Sequence, residues 1–234
     1  MNDQRDYFNT INHRYRIDKL IHTPIVQSLE MQDLEASLHN KPTGSMLDFG
    51  AGSGRVTFWF LQQGYNVTAV DISSHSLADI RTMYNKHKKP SWGTLQTKTA
   101  LPRHTFFDIV VGADILHHVD IPTILPQLKN VLKPHGCIAF SEPNAYHIPW
   151  YVHYARQRIP WHIEQGILQC TYKNIYRQFI HAGFLNVHIK GHGLFPTPLL
   201  SPFSSLCKIN ALSLGNTVLS RGIAFRYIIS ATNG

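Results

Sequence analysis

The chain has 234 residues, of which 43% are hydrophobic and 15% are charged, a composition that excludes a disordered chain and allows a domain with a large core. Its formal net charge of +8 favours acidic partners, but the basic residues are scattered along the chain. The three cysteines are widely spaced and form neither a zinc motif nor a disulfide framework, so a reducing compartment is expected.

The N-terminus is polar and does not resemble a signal peptide, and no apolar run approaches the roughly 20 residues of a membrane helix. We therefore expect a cytoplasmic protein. Residues 1–42 are predicted to form an N-terminal helical segment that packs on the edge of the domain. Tyr7, Phe8 and Tyr15 are candidates either for that packing or for a lid over a bound ligand.

Residues 46–72 combine a strand pattern, a glycine-rich turn, a helix pattern and a second strand pattern. Gly50 and Gly52 alternate in the turn, where glycine can adopt positive φ and lets the backbone approach a ligand closely. The strand patterns end in Asp48 and Asp71. A carboxylate in the second position can accept hydrogen bonds from two ribose hydroxyls. This stretch predicts a site for a nucleoside-containing ligand, with a purely structural turn as the alternative.

The rest of the chain alternates between strand and helix patterns. Further strand patterns lie at residues 94–97, 106–113, 137–140, 185–190 and 224–231, and helix patterns lie at 73–86, 120–132 and 172–182. This alternation predicts an α/β fold with a doubly wound, mostly parallel sheet. Two stretches break the alternation and are predicted to be inserts, at about residues 145–170 and 191–222.

Together these motifs resemble the class I S-adenosylmethionine-dependent methyltransferases that act on small molecules. The matching segments are LDFGAGSG, VTAVDIS, FFDIVVGADILHHV and VLKPHGCIAFSEPN, the last with His135 in place of the usual first glycine. The resemblance implies a Rossmann-like sheet of seven strands, of which the last is antiparallel. It also implies a methyltransferase domain over residues 43–234 and S-adenosylmethionine as the cofactor.

The resemblance further implies a set of cofactor-binding residues. Asp48 and the glycine turn would hold the methionyl portion, Asp71 the ribose and Ile72 the adenine face. Ala113 would lie beside the methyl-bearing sulfonium, and Thr97 stands where the family often has an acid for the adenine amino group. The full set is Asp48, Gly50, Ala51, Gly52, Asp71, Ile72, Thr97 and Ala113. A dehydrogenase would more often have the spacing GxGxxG, which disfavours NAD.

Methyl transfer to a hydroxyl group usually needs a base, and three residues beyond the central strands are candidates. His117 and His118 follow the fourth strand, and Glu142 ends the fifth. Histidine titrates near neutral pH, which suits a base, although one histidine of the pair can instead shape the cofactor pocket. No third ligand has a clear spacing, so no metal site is predicted.

The insert at 145–170 is rich in aromatic residues and follows the fifth strand, at the edge where such sheets bind ligands. It is predicted to be a substrate cap contacting the acceptor through Tyr146, Trp150 and Tyr151, or else an aromatic mini-core. We expect a small or medium-sized apolar, aromatic or lipid-like acceptor, methylated on oxygen in preference to nitrogen or carbon.

The insert at 191–222 is apolar enough for a lipid tail or for peripheral contact with a membrane, or it forms an edge of the cap. Nucleic acid is not favoured as a partner, because the motifs of base-modifying methyltransferases are missing. Two alternatives to a small-molecule enzyme stay open: an RNA- or tRNA-modifying methyltransferase, and a non-catalytic protein that binds S-adenosylmethionine.

Overall fold

The computed structural model describes residues 25–38, 44–194 and 217–234. Tyr7, Phe8 and Tyr15, and most of the predicted insert at 191–222, lie outside the described residues. The sheet strands are β1 (Ser45–Phe49), β2 (Asn66–Val70), β3 (Leu95–Lys98), β4 (Phe107–Ala113), β5 (Leu132–Pro143), β6 (Leu185–His192) and β7 (Arg226–Thr232).

The α-helices are α1 (Ile25–Ala36), α2 (Arg55–Gln62), α3 (Ser74–His87), α4 (Ile121–Asn130), α5 (Pro149–Arg156), α6 (Trp161–Glu164), α7 (Tyr172–His181) and α8 (Val218–Ile223). Two short 3₁₀ helices complete the described elements. The first, Leu116–His118, follows β4 and is called the histidine turn below; the second is Gln165–Gln169.

The seven strands form one sheet in the order β3-β2-β1-β4-β5-β7-β6. Strands β1 to β5 are parallel to one another, and β7 is antiparallel to both β5 and β6. The predicted doubly wound α/β fold with an antiparallel last strand is therefore confirmed. The order reverses between β1 and β4, and in such sheets ligands bind beyond the carboxyl ends of the strands at this point.

Each face of the sheet is covered by helices, which explains why the central strands are mostly apolar. Met46, Val67 and Ile109 point to one face and belong to a core that also contains buried residues of α1, α2 and α3. Leu47 and Val110 point to the other face, where the core includes residues of α4 and α7. The apolar run at residues 109–113 follows from burial on both faces.

The junction between α4 and β5 differs from the prediction that the helix reaches Leu132 and a turn precedes the strand. Helix α4 ends at Asn130, and β5 already begins at Leu132, which pairs with Phe107. The ladder then shifts its register before Cys137 pairs with Ile109, so the predicted turn is an irregularity within the strand. His135 adopts the left-handed region there, with φ of 59°, where the related motif has glycine.

Helix α1 packs along β5 and reaches the binding edge of the sheet. The Leu38 carbonyl, just beyond the helix, lies near Cys137 in the middle of the strand, whereas Glu30 contacts Ser141 near its end. Helix α1 therefore begins at the carboxyl edge of the sheet. No helix within the described ranges is long and apolar enough to cross a membrane.

Candidate active site

The glycine turn after β1 has the backbone conformation that its sequence predicts. Gly50 and Gly52 have φ of 75° and 50°, in the left-handed region that favours glycine. A Cβ atom at Gly50 would lie 2.4 Å from the Ile115 side chain, so this glycine is also required by packing against the segment after β4. A Cβ atom at Gly52 would meet nothing closer than 4.0 Å, which leaves space beside the turn.

Asp71 joins the end of β2 to this turn. Its Oδ2 accepts a hydrogen bond from the Gly52 amide at 2.7 Å, and its Oδ1 accepts one from the Ser73 amide at 2.8 Å. Burial raises the pKa of Asp71, while the two amide hydrogen bonds oppose the rise. The neighbouring Ile72 side chain is 42% exposed. The predicted ribose-binding and adenine-facing residues thus lie together at the edge of the sheet.

Asp48 lies beneath the turn and is fully buried. Its Oδ2 accepts a hydrogen bond from the Thr57 hydroxyl on α2, whereas its Oδ1 has no hydrogen-bond partner in the part of the chain that is described. Burial raises the pKa of Asp48 to about 7, and the charge of Asp71 adds to the rise. A buried acceptor atom without a donor is unusual in a folded protein and can mark a position that a ligand completes.

The remaining predicted cofactor residues lie on the neighbouring strands. Ala113 is the last residue of β4 and is partly buried. Thr97, on β3 next to β2, accepts a hydrogen bond from Arg81 at 2.8 Å through its hydroxyl oxygen. The Thr97 hydroxyl oxygen thus already accepts a hydrogen bond from the Arg81 guanidinium group. The contact of Thr97 with the adenine amino group stays a prediction.

Glu142 organises the histidine turn. Its Oε1 accepts hydrogen bonds from the amides of Ile115 and Leu116, both at 2.8 Å, and its Oε2 lies 2.8 Å from Nδ1 of His117. The other ring nitrogen of His117 lies 3.4 Å from Oε2 of Glu164, at the end of α6. All three side chains are buried. Both carboxylates therefore face one imidazole.

The surroundings shift the pKa values of His117 and His118 in opposite directions. Burial acts to lower the pKa of His117, but the hydrogen bonds with Glu142 and Glu164 outweigh it and raise that pKa to about 10. The His118 ring lies 3.9 Å from the His117 ring, and burial together with the positive charge of His117 lowers the pKa of His118 to about 3. At neutral pH His117 is therefore charged, and His118 is neutral.

A ring of four charges lies beside the histidine turn and was missed by sequence reasoning. Arg55 binds Glu30 and Asp114, at 2.8 Å each, and Arg226 also contacts both carboxylates. The Ser141 hydroxyl donates to Glu30 at 2.6 Å and accepts from Arg226 at 3.0 Å. Burial opposes the charge of Glu30 and Asp114, but Arg226 and Arg55 keep both pKa values low.

This charge ring connects four separate parts of the fold. Glu30 belongs to α1, Arg55 begins α2 directly after the glycine turn, Asp114 follows β4, and Arg226 begins β7. Asp114 is a non-glycine residue with φ of 57°, a strained conformation that its two arginine partners hold in place. The sequence did contain a signal for this ring. Arg226 is the one charged residue of strand β7, which could have indicated that it has a buried partner.

Comparison with known proteins agrees with this geometry. A family model described as a methyltransferase domain matches residues 47–140, from β1 to β5. Residues 47–140 are thus similar to a methyltransferase domain. The resemblance to the class I methyltransferases that the motifs indicated is thereby confirmed, and the glycine turn, Asp71 and Ala113 all fall within the matched segment.

Curated relatives are similar over the same part of the chain. A demethylmenaquinone methyltransferase of Tropheryma whipplei (strain Twist) is 29% identical over 118 residues, which cover 49% of this chain and 49% of that protein. A ubiquinone biosynthesis O-methyltransferase of Actinobacillus pleuropneumoniae is 31% identical over 111 residues, 42% of this chain and 45% of that protein. The chain thus aligns with about half the length of these relatives.

Solved structures share the whole fold at low identity. A Thermotoga maritima protein, described as an S-adenosylmethionine-dependent methyltransferase and possible histamine N-methyltransferase, superposes with a TM-score of 0.68 at 15% identity, covering 99% of this chain and 100% of that one. Phosphoethanolamine N-methyltransferase 2 of Haemonchus contortus, in complex with S-adenosyl-L-methionine, gives 0.63 at 18% identity, covering 98% and 60%. At these identities the likeness shows the fold alone.

The predicted cap packs directly on the histidine turn. A Cβ atom at Gly166 would lie 1.7 Å from the His117 carbonyl oxygen, so only glycine fits there. Gln169 donates hydrogen bonds to the carbonyls of Leu116 and Val119, at 3.2 Å and 3.1 Å. Together with Glu164 these residues fix the cap to the turn, and sequence reasoning had not singled them out.

The three predicted substrate residues have different surroundings. The indole nitrogen of Trp150 donates to the Phe225 carbonyl at 2.8 Å, and the Tyr151 hydroxyl donates to the Ala145 carbonyl at 2.7 Å. The Tyr146 side chain is 56% exposed. The side-chain donor of Trp150 is thus used on the segment before β7 and that of Tyr151 within the cap, and the assignment of all three residues to the acceptor stays a prediction.

Two groups of side chains among the described residues bring metal-ligand atoms within 4.8 Å of one another: His117, Glu142 and Cys170, and His117, His118 and Glu164. Both depend on His117. Because a metal-binding imidazole nitrogen must be unprotonated and the pKa of His117 is raised to about 10, a proton competes for this position. The site therefore remains predicted to work without a metal ion.

Proposed function

We propose that this protein transfers a methyl group from S-adenosylmethionine to a small acceptor. The observation that carries the proposal is the contact of Asp71 with the Gly52 amide at 2.7 Å, which sets a carboxylate beside a left-handed glycine turn at the switch point of the sheet. A ribose at that edge would find two acceptor oxygens on one side chain. The matched methyltransferase domain supports the same assignment.

The residues present fit this cofactor. The space beside Gly52 allows a ligand to approach the backbone, and the exposed Ile72 offers an apolar surface for adenine. The buried Oδ1 of Asp48 lacks a donor among the described residues, and the ammonium group of a methionyl portion would supply one. When bound, S-adenosylmethionine supplies a methyl group on a positively charged sulfur.

The chain's own contribution to the reaction is alignment and removal of a proton. A hydroxyl acceptor forms its oxygen–carbon bond as the carbon–sulfur bond breaks, and the hydroxyl proton must pass to a base. His117 already carries a proton, and Glu142 is engaged by three hydrogen bonds. His118 is neutral and partly exposed, so we assign it as the proton acceptor, a weak base because its pKa is lowered to about 3.

The acceptor is proposed to be apolar, aromatic or lipid-like, with oxygen preferred over nitrogen and carbon as the methylated atom. The names of the curated relatives refer to ubiquinone and menaquinone pathways, which supports this class. The predicted cap supplies aromatic side chains at the carboxyl edge of the sheet. Peripheral contact with a membrane would give access to a lipid-like acceptor.

Replacement of Asp71 by asparagine is expected to weaken the affinity for S-adenosylmethionine about 10- to 100-fold, since a hydrogen bond to a charged group contributes about 1.5–3 kcal/mol. Titration calorimetry measures the change. Asp79→Asn on α3 is the matched control, because Asp79 pairs only weakly with His75, at 3.7 Å, and is expected to keep the wild-type affinity. Equal affinities of the Asp71 variant and the wild type would contradict the ribose assignment.

Activity is tested with cell extracts incubated with the protein and S-adenosylmethionine labelled with tritium in the methyl group. We expect label in one or a few small molecules extracted into organic solvent, each heavier by one CH₂. Label in RNA would instead support the RNA-modifying alternative. Binding of the cofactor without any labelled product would support a non-catalytic protein.

A further inference from the structure

Arg55 connects the two sides of the predicted cofactor site. It is the first residue of α2 and directly follows the glycine turn. Its Nη1 donates a hydrogen bond to Oε2 of Glu30 at 2.8 Å, and its Nη2 donates one to Oδ2 of Asp114 at 2.8 Å. The Arg55 side chain is 11% exposed. A planar guanidinium group that is bonded on two sides has a fixed orientation, so these contacts hold the end of the glycine turn in place.

Asp114 lies on the side of the site that faces the glycine turn. It follows Ala113, which is predicted to lie beside the sulfonium, and it precedes Ile115, whose side chain packs against Gly50. The hydrogen bond from Arg55 joins this segment to the turn, although the two residues are 59 positions apart in the chain. The bridge therefore sets the separation between the turn and the segment after β4.

Glu30 holds Arg55 from helix α1. Its Oε1 accepts a hydrogen bond from the Ser141 hydroxyl at 2.6 Å and lies 3.2 Å from Nε of Arg226. These contacts to β5 and β7 fix the carboxylate whose other oxygen accepts from Arg55. Glu30 and Arg226 both lie outside residues 47–140, the segment that the family model matches. The orientation of Arg55 thus depends on parts of the chain beyond that segment.

Helix α1 has a second attachment one turn further along. The carboxylate of Asp33 lies 3.1 Å from Nζ of Lys190 and 2.8 Å from Nδ1 of His192. Both partners belong to β6, the last strand in the sheet order, whereas the glycine turn follows β1. The helix is therefore attached at two points that substitutions can remove separately, one joined to the glycine turn and one at the edge of the sheet.

Stability alone does not explain the charge ring. Burying charged groups costs solvation free energy, and apolar residues that replace a buried ion pair often leave a protein as stable or more stable. Directional ion pairs do fix geometry, and a binding site needs its contacting groups held by such supporting contacts. The ring provides this support where four parts of the fold meet beside the predicted position of the methyl group.

We propose that Arg55 is a positioning residue for S-adenosylmethionine and that Glu30 acts through it. Arg55 holds the glycine turn at a set distance from Asp114, and Glu30 holds the guanidinium group in the orientation that this bridge requires. Helix α1 thereby takes part in cofactor binding through Glu30, which needs no contact with the cofactor itself. This inference rests on the proposed methyl transfer and adds the residues that shape the site of the methyl donor.

The test is a double-mutant cycle on the full-length protein, with the affinity for S-adenosylmethionine measured by titration calorimetry. Glu30→Gln keeps the size of the side chain and removes its charge, whereas Arg55→Lys keeps the charge and loses the planar group that bonds two carboxylates. Each variant is expected to bind the cofactor about 5- to 30-fold more weakly than the wild type. The double variant should bind within about twofold of Arg55→Lys, because Glu30 acts through Arg55.

Asp33→Asn is the matched control, because it removes a carboxylate from the same helix and weakens its attachment to β6. Its affinity should stay within about twofold of the wild type, since the partners of Arg55 are unchanged. This control separates the position of Arg55 from a general loosening of α1. If Glu30→Gln fails to fold, Glu30→Asp, which keeps the charge on a shorter side chain, takes its place in the cycle.

Wild-type affinity in Arg55→Lys or in the Glu30 variant would overturn the inference. So would an Asp33→Asn protein that binds as weakly as the Glu30 variant, or effects of the two ring substitutions that multiply in the double variant. In each of these cases the wild type still binds S-adenosylmethionine, and the proposed function stands. Failure of the wild type to bind S-adenosylmethionine would overturn the proposed function and the inference with it.

Discussion

Replacement of Glu142 by glutamine is expected to lower the free energy of unfolding by about 3–5 kcal/mol, the usual cost of breaking a buried ion pair from one side. The glutamine oxygen can still accept from the amides of Ile115 and Leu116, but its NH₂ group would then face the Nδ1 donor of His117. The buried charge of His117 would lose its nearer carboxylate. Urea unfolding followed by circular dichroism measures the change.

Glu35→Gln is the control for this experiment, because Glu35 accepts a single neutral hydrogen bond from Trp59 at 3.1 Å. We expect this substitution to change the free energy of unfolding by no more than about 1 kcal/mol. A Glu142→Gln protein as stable as the control would show that the histidine turn does not depend on the ion pair.

The same substitution should change the pH dependence of stability. The pKa of His117 is raised from 6.5 to about 10 in the folded state. Its contribution to stability is therefore fully present below about pH 6.5 and is lost as the pH rises towards about 10. Wild-type protein should lose stability over this interval, and Glu142→Gln should lose less. Equal alkaline losses in the two proteins would contradict the raised pKa.

Replacement of His118 by glutamine is expected to lower kcat about 100-fold for a hydroxyl acceptor, the lower end of the usual contribution of a general base, because the lowered pKa of His118 makes it a weak base. The affinity for S-adenosylmethionine should stay close to that of the wild type, because His118 is not among the residues predicted to bind the cofactor. Turnover is measured by transfer of the labelled methyl group to the acceptor that the extract experiment identifies.

His181→Gln, at the exposed end of α7, is the control for loss of an imidazole and should retain full turnover. His117→Gln should act mainly on stability, because its ring nitrogens face Glu142 and Glu164 rather than the partly exposed side of His118. Full turnover by His118→Gln would remove His118 as the base and favour direct attack by an acceptor that needs none.

The local parts of the structure were predictable from sequence because their signals lie close together in the chain. The apolar runs of β1, β2 and β4, the glycine turn and the acid at Asp71 follow from short-range patterns, and the contact of Asp71 with Gly52 spans only 19 residues. The main error in this part, the start of β5 at Leu132, arose because pairing with Phe107 extends the strand through a turn-like sequence.

The interior of the site was not predictable because its contacts depend on the whole topology. Arg226 and Asp114 are 112 residues apart in sequence, and Ser141 and Glu30 are 111 apart. Pattern reasoning found Glu142 and both histidines, but it did not find that Glu142 and Glu164 enclose His117. The role of Gly166 likewise depends on the 1.7 Å approach of the His117 carbonyl to the position of a Cβ atom.

The central claim is that the glycine turn and Asp71 bind S-adenosylmethionine, and titration calorimetry of the wild-type protein tests it most directly. We predict saturable binding of S-adenosylmethionine at one site per chain and no heat of binding with NAD at the same concentration. Binding of NAD without binding of S-adenosylmethionine would contradict the account.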